Sequence, residues 1–499
     1  MIKAESPIDW LAARAAQTPD RLALIIGQRR WSYAELDRLT AHLAGHLHDQ
    51  GVKPGDFVAA LLPNSLEYVC LIHALARLGA VLVPLNTRLT KAEIAWQVEQ
   101  VGAQWLAADA EVGGVSSKRL SVTSDAAENV SPSAINHDAP FNPDHLQAVV
   151  FTSGTSGRPK GAMLTFANHY ASARASAERL GVQANDLWLS VLPLYHVGGL
   201  AVVWRSCLYG TAVDLHARFD LDAINEALDT KPITLISLVP TMLHRLLQVR
   251  QTWPDTLRLV LLGGAAAPPD LLQQAQAVHL PVATTYGLTE AASQVATMLP
   301  QAVARKPGSV GKPLPGTTLD IVDEHGRSLP PHTIGEIVVS GPTVMAGYFI
   351  SDFGLGISEE GLQNPKSEIR NLHTGDMGYL DEDGDLWVVQ RRSDLIVSGG
   401  ENVYPAEVEA VLKAHTAVAN ACVVGLPDPE WGQKVAALVE LKPGHAVSEA
   451  ELLAFTRERL AGYKQPRRLR FTAKLPQTAS GKIARRVVSE IMTRPEANP

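Results

Sequence analysis

The run Phe151-Thr152-Ser153-Gly154-Thr155-Ser156-Gly157-Arg158-Pro159-Lys160-Gly161 packs hydroxyls, glycines and two cations into one loop. These are the ingredients for holding polyphosphate. Glycines let backbone N–H groups converge on anionic oxygens, Ser and Thr hydroxyls add donors, and Lys160 and Arg158 add charge. A flexible surface turn is the plainer reading of one Gly-x-x-Gly, but a run this dense, directly after an apolar stretch of strand length, argues against it. No Gly-x-x-x-x-Gly-Lys-Ser/Thr string occurs, which disfavours an ordinary P-loop. A further cation, Lys482, stands in Thr478-Ala479-Ser480-Gly481-Lys482, a polar, glycine-flanked segment suited to a mobile loop. An ammonium there neutralises charge developing on a phosphate; the bland alternative is a solvated surface lysine. Glu290 offers the hard carboxylate oxygens that Mg²⁺ takes, and Thr289 beside it a hydroxyl donor, although a Thr-Glu pair alone reads as a helix start. His42, His46 and His48 contain an i, i+4 pair but no acidic third ligand, so they read as a helix surface rather than a metal site.

Positioning such groups requires rigid elements, and short apolar runs alternate with helical patterns along the chain. Phe57 to Leu62, Ala80 to Leu85, Ala148 to Thr152, Leu187 to Leu192, Ile233 to Val239, Leu257 to Leu262 and Val282 to Tyr286 are apolar and strand-length, as strands buried on both faces of a mostly parallel sheet are. Ser32 with Glu35 forms a capping box, after which Leu36, Leu39, Leu43 and Leu47 recur at helical spacing until Gly51. A helix is expected to start near Thr165, just beyond the hydroxyl-rich loop. The segment from Glu111 to Pro143 reads as a surface connection or weak edge structure. Beyond about residue 300 short strands separated by Gly, Pro and Asp turns indicate a more antiparallel subdomain. The polar stretch Arg391-Arg392-Ser393-Asp394 then precedes a compact αβ pattern. The expected fold is α/β: a large N-terminal domain, residues 1–390, of mostly parallel sheets flanked by helices with a β-rich subdomain; a hinge at 391–394; and a small mobile α+β domain at 395–499.

Composition narrows the partners. The 499 residues carry 44 Lys+Arg against 51 Asp+Glu, a formal net charge of −7, which gives no basic stripe for nucleic acid or anionic membrane. Cys70, Cys207 and Cys422 are far apart and fit a reducing interior, and no apolar run approaches the ~18 residues of a membrane helix. The N-terminus lacks a signal-peptide apolar stretch. A cytoplasmic protein acting on small molecules, as a monomer or a homodimer, is the expectation.

The loop occurs in order with Tyr286-Gly287-Leu288-Thr289-Glu290, Thr374-Gly375-Asp376, Arg391, Gly399-Gly400-Glu401-Asn402 and the Lys482 segment. In that order the motifs resemble the adenylate-forming superfamily of acyl-CoA synthetases, nonribosomal adenylation domains and luciferases, over nearly the whole chain. The resemblance implies a ligase that uses Mg²⁺ with ATP to form an acyl-adenylate and then a CoA thioester. It assigns adenylation to Lys482 and the phosphates to Thr152, Ser153, Gly154, Thr155, Ser156, Gly157, Lys160 and Thr289. Mg²⁺ falls to Glu290. Adenine would stack on Tyr286, next to Gly287, opposite the backbone of Gly264-Ala265-Ala266, and the ribose would meet Asp376 and Arg391. His196 would border and gate the acyl pocket, where a lone His near an apolar face would otherwise be a satisfied core residue. Gly399, Gly400 and Glu401 would line the CoA channel after the C-terminal domain rotates. The chain departs from the pattern at the hinge, which has Ser393 for the usual Asp or Lys and Gln390 for Gly, and in a longer segment from Phe349 to Leu372.

Within the superfamily, Pro193 to Leu200 and Ser398 to Glu409 look most like the o-succinylbenzoate-CoA ligases of menaquinone or phylloquinone synthesis. That acid is a dicarboxylate, and its second carboxylate needs a cation. Arg205, nine residues after His196, is the candidate; its bland reading is a stem covering Trp204 with the head in solvent. A medium-chain or aryl acyl-CoA synthetase, and a non-catalytic acyl- or nucleotide-binding relative, are the alternatives, and intact Lys482, Glu290 and Asp376 argue against the second.

Overall fold

The computed structural model describes residues 9–109, 115–122, 143–153, 159–349, 371–390, 395–476 and 483–494. The chain divides into two compact units: Met1–Thr87, Val98–Phe151 and Gly161–Gln390 in one, and Arg88–Gln97, Thr152–Lys160 and Arg391–Pro499 in the other.

The larger unit is built on three sheets. One has nine strands, in the order Lys312–Pro313, Ser293–Met298, Val282–Leu288, Leu259–Leu262, Leu235–Leu238, Leu187–Ser190, Ala212–Leu215, Leu22–Ile26 and Arg29–Ser32. Its central strands pair in parallel, with Leu262 opposite Thr284 and Leu238 opposite Leu262. They are buried along their length because helices cover both faces of such sheets, which is why they read as unbroken apolar runs. The second sheet orders Gly347–Phe349, Pro159–Thr165, Leu146–Ser153, Val81–Pro84, Phe57–Leu61, Trp105–Ala108 and Lys118–Leu120, so the segment expected as weak edge structure supplies an edge strand. The third, Thr318–Val322, Gly335–Ser340, Leu372–Leu380 and Leu386–Gln390, is antiparallel, as the turn-rich sequence indicates.

Local chemistry sets the helix starts. Ser32 and Glu35 close the expected capping box on the helix Tyr33–Asp49, and Thr165 caps Phe166–Leu180 through the Asn168 backbone N–H. One expectation is corrected. Pro159, Lys160 and Gly161 belong not to a loop but to the strand Pro159–Thr165. Proline is tolerated as the first residue of a strand, and a Cβ at Gly161 would lie 2.6 Å from Val149 Cγ1, so glycine is what lets the two strands approach.

In the smaller unit the strands Glu401–Val403, Ile396–Ser398, Gly432–Leu441 and Val418–Asp428 form a sheet to which Arg468–Thr472 adds in parallel to Gly432–Leu441. The helices Pro405–Lys413 and Arg485–Thr493 pack on the strand Val418–Asp428. The three cysteines are free and buried. No helix among the described residues is long and apolar enough to cross a membrane.

Candidate active site

In the larger unit, two adjacent parallel strands end at one edge of the nine-stranded sheet, the edge at which open α/β sheets carry their ligand crevice. Leu259–Leu262 runs into Gly263-Gly264-Ala265-Ala266, and Val282–Leu288 into the 3-10 turn Thr289–Ala291. Gly264 has φ +82°, and a Cβ at Gly263 would meet Thr285 Cγ2 at 2.7 Å, so this turn is close-packed on the neighbouring strand while Gly264 itself is exposed. The register that sets Leu262 opposite Thr284, and Gly263 against Thr285, brings the start of this turn next to the residue before Tyr286.

Tyr286 is buried, and its hydroxyl donates to Asp376 Oδ2 at 2.7 Å. Asp376 arrives from the antiparallel sheet, on the strand Leu372–Leu380. Gly375, at φ +74°, kinks that strand; its N–H donates to Glu336 Oε1 at 3.0 Å. Thr374 Oγ1 donates to the Ile337 carbonyl at 2.7 Å and accepts the Asp376 N–H at 3.1 Å. The order of motifs in the sequence thus becomes a contact between two sheets.

Glu290 is 8 % exposed. One of its oxygens, Oε1, accepts from the Tyr348 hydroxyl at 2.8 Å, and its carbonyl accepts the Met345 N–H at 2.9 Å. Tyr348 lies on Gly347–Phe349, the terminal strand of the seven-stranded sheet, paired with Ala162. The turn that carries Thr289 and Glu290 is followed by Ala292 at φ 49° and Ser293 at φ 108°, two non-glycine residues in the left-handed region. Such backbone costs on the order of 1–3 kcal/mol per residue and persists where the surroundings enforce it. A Cβ at Gly287 would lie 2.2 Å from the Ser293 carbonyl oxygen, so the tight return requires glycine there.

His196 is the N-cap of the helix Val197–Tyr209 and lies half-buried, its ring 4.7 Å from that of Tyr195. The approach to it is fixed by Asn64, which donates to the Leu192 and His216 carbonyls at 3.0 Å each and accepts the Leu194 N–H at 2.8 Å. A Cβ at Gly199 would fall 2.2 Å from the Pro193 carbonyl oxygen. Arg205, on the same helix, does not send its head to solvent: it is 2 % exposed. Burial lowers its pKa from the ordinary arginine value, opposed by Tyr209. Its Nη2 donates to Ser172 Oγ at 3.2 Å, its Nε has no hydrogen-bond partner, and no carboxylate pairs with it among the described residues. His169, beside it, is held neutral, its pKa pushed down to about 3 by burial and by Arg205.

In the smaller unit, Thr152 Oγ1 lies 3.4 Å from the Lys160 carbonyl oxygen and Lys160 is half-buried. Gly399 and Gly400, at φ +59° and +84°, form a two-residue hairpin turn between Ile396–Ser398 and Glu401–Val403, with Ser398 opposite Glu401. A Cβ at Gly399 would lie 2.6 Å from the Trp431 ring. Glu401 is buried and pairs with Arg88 at 3.2 Å. Gly154, Thr155, Ser156, Gly157, Arg391, Ser393 and Lys482 lie outside the described residues, as do the side chain of Ser153 and most of the Phe349 to Leu372 segment.

Tyr348, Asn64 and Ser172 contact candidate site residues or the backbone leading to them without any signal in spacing, because each is a single polar group brought in from a distant element. Among the described residues one acidic cluster lies elsewhere: Asp381, Asp383 and Asp385 are all engaged by Lys306, at 2.7, 2.7 and 2.5 Å.

The chain matches the family model described as AMP-binding enzyme over residues 11–349 and that described as AMP-binding enzyme C-terminal domain over 407–482. It is 41% identical over 490 residues to a 2-succinylbenzoate-CoA ligase of Bacillus cereus, covering 98% of this chain and 99% of the relative. A solved structure of an o-succinylbenzoate CoA synthetase double variant from Bacillus subtilis, bound with a product analogue, superposes with a TM-score of 0.90 at 39% identity over 97% of this chain and 98% of that one. The same synthetase in complex with ATP and magnesium ion gives a TM-score of 0.72 at 39% identity, over 96% and 98%.

Proposed function

The chain belongs to the AMP-binding enzyme family, and on that premise we propose that it joins o-succinylbenzoate to CoA with ATP, in menaquinone or phylloquinone synthesis. A carboxylate oxygen attacks the α-phosphorus, the bond to the bridging oxygen breaks, and pyrophosphate leaves. The CoA sulfur then attacks the acyl carbon, AMP leaves, and the thiol proton passes to water. The first step needs no general base; its barrier is the approach of one anion to another and the departure of a third.

Each motif has a part in that electrostatic problem. Lys482 neutralises charge at the α-phosphate, and Thr152 to Gly157 with Lys160 hold the β- and γ-phosphates. Tyr286 and Gly264 to Ala266 enclose adenine, while Asp376 and Arg391 hold the ribose. Thr289 donates to phosphate. The carboxylate of Glu290 suits a hard cation, and Mg²⁺ bound there would shield the phosphate oxygens. His196 borders the acyl group. The domain 395–499 turns about residues 391–394, near Ser393, to bring Gly399, Gly400 and Glu401 to the thiol. Its cysteines, all free and buried, suit the reducing cytoplasm in which we place it.

The observation that carries the choice of acid is Arg205: a desolvated guanidinium with one neutral acceptor and no carboxylate partner among the described residues. A second carboxylate on the substrate supplies what it lacks, two parallel hydrogen bonds to a planar fork. AMP release measured over a panel of acids tests this. Turnover of o-succinylbenzoate above hexanoate and benzoate is expected; preference for either monoacid would select a medium-chain or aryl acyl-CoA synthetase, and no AMP with any acid a non-catalytic relative. Partial reactions test Lys482. Lys482→Ala should lose adenylate formation by at least ~10²-fold yet still pass supplied acyl-adenylate to CoA, and unimpaired adenylation would refute its role.

A further inference from the structure

Ser172 lies on the helix Phe166–Leu180, 2 % exposed, and its hydroxyl is committed in both directions. It accepts from Arg205 Nη2 at 3.2 Å and donates to the Ala292 carbonyl at 2.7 Å. A hydroxyl has one proton. With that proton on the carbonyl, only lone-pair density is left to face the guanidinium. The carbonyl is itself immobile: Ala292 sits in the left-handed region at φ 49° directly after the Thr289–Ala291 turn, and its N–H donates back to the Thr289 carbonyl at 3.1 Å. One turn along the same helix, Ser176 Oγ donates to Gln294 Oε1 at 2.9 Å, and Gln294 Nε2 to Thr297 Oγ1 at 3.0 Å. The helix is therefore fastened by two hydroxyls to the strand that leaves Glu290.

Arg205 has little else to orient it. Its Nε is without a partner, and His169 is driven neutral by burial and by the guanidinium itself. A buried guanidinium rotates its fork toward whatever acceptors it has, and among the described residues the chain provides one. We propose that Ser172 is a positioning residue: it sets the fork of Arg205 for the second carboxylate of the acid and references that setting to the turn carrying Thr289 and Glu290. This rests on the assignment of Arg205 above. The competing explanation is a staple, in which Ser172 serves only to satisfy the Ala292 carbonyl and hold helix to strand.

The experiment is a cycle of Ser172→Ala, Arg205→Met and the double variant, assayed by AMP release with o-succinylbenzoate and with the two monoacid analogues that each keep one of its carboxylates. Thermal unfolding is followed in parallel. Ser172→Ala is expected to raise KM for the diacid about tenfold, the scale of a hydrogen bond to a charged group, with KM for ATP and for whichever monoacid is turned over within about twofold. Ser172→Thr, which keeps the hydroxyl, should restore most of the loss. In the Arg205→Met background the Ser172→Ala effect should disappear. An equal loss on diacid and monoacid, or a loss that persists without Arg205, overturns the proposal in favour of the staple. Arg205→Met discriminating between the acids while Ser172→Ala does not overturns the role of Ser172 alone; Arg205→Met affecting all acids alike overturns the Arg205 assignment and this proposal with it.

Discussion

Arg77 and Arg205 are both buried in the larger unit, and their surroundings are opposite. The Arg77 side chain is 3 % exposed on the helix Leu66–Leu78, with Nε on Asp9 at 2.5 Å and Nη2 on Asp37. Asp9 also caps the helix Trp10–Gln17 and Asp37 lies on Tyr33–Asp49, so one guanidinium joins three helices. Its two carboxylates raise its pKa against burial, whereas Arg205, with a hydroxyl for a neighbour, is lowered by burial. Arg77 is neutralised by two carboxylates of the chain, and Arg14, 5 % exposed, is satisfied by the Cys207 and Leu208 carbonyls at 3.0 and 2.6 Å. Arg205, with one neutral acceptor among the described residues, keeps a desolvation penalty that, under the proposed function, the second carboxylate of the acid relieves, and this sets it apart from the two structural arginines.

The contrast breaks or sharpens under substitution. Arg77→Ala leaves two carboxylates unpaired and should destabilise by about 3–5 kcal/mol, read as a fall in unfolding temperature, while activity per folded molecule is retained. Arg205→Met should act the other way round. The efficiency with o-succinylbenzoate should drop on the order of 100-fold, the scale of one to two hydrogen bonds between charged groups, with the unfolding temperature unchanged or higher. An Arg205→Met protein as unstable as Arg77→Ala would erase the distinction. A smaller effect follows at His169, whose pKa Arg205 helps depress: in Arg205→Met its imidazole should titrate at higher pH by NMR, and an unmoved titration would mean the two groups do not interact.

The legible part of this molecule is what neighbours in sequence determine. The unbroken apolar runs became buried parallel strands and the Ser32 and Glu35 box capped its helix, whereas the hydrogen bond from Tyr286 to Asp376 joins two motifs whose order alone does not place them in contact. Lys160 was misread as loop because proline and glycine flank it, and only the strand Leu146–Ser153 beside it explains why both are tolerated. Tyr348 on Glu290 and Ser172 on Arg205 were not readable at all. Each is one hydroxyl on a different element, positioned by packing over more than thirty residues of separation, and a single polar residue on a helix or edge strand carries no periodic signal. The state of Arg205 was undetermined for the same reason: whether its head reaches solvent depends on which helix covers it.

The smallest predicted effect joins the two regions through His73, one turn before Arg77 and 2 % exposed, its ring 4.9 Å from that of Trp204, the residue preceding Arg205. Burial pushes the His73 pKa down to about 4; Asp9 opposes the shift and Arg77 adds to it. The folded protein thus keeps this imidazole neutral while the unfolded chain, titrating near 6.5, takes up a proton. The stabilisation is complete above the unfolded value and is lost as pH falls from about 6.5 toward about 4, so the unfolding temperature should decline across that window. His73→Phe should flatten the decline and reduce proton uptake on unfolding there. Arg77→Ala removes a repulsive cation and leaves Asp9 in place, so the His73 pKa should move back up toward its ordinary value and the decline should be confined to a narrower span of pH. A His73 resonance titrating at the same pH in the wild-type and Arg77→Ala proteins would show that the Arg77 charge, screened by its own two carboxylates, does not reach it.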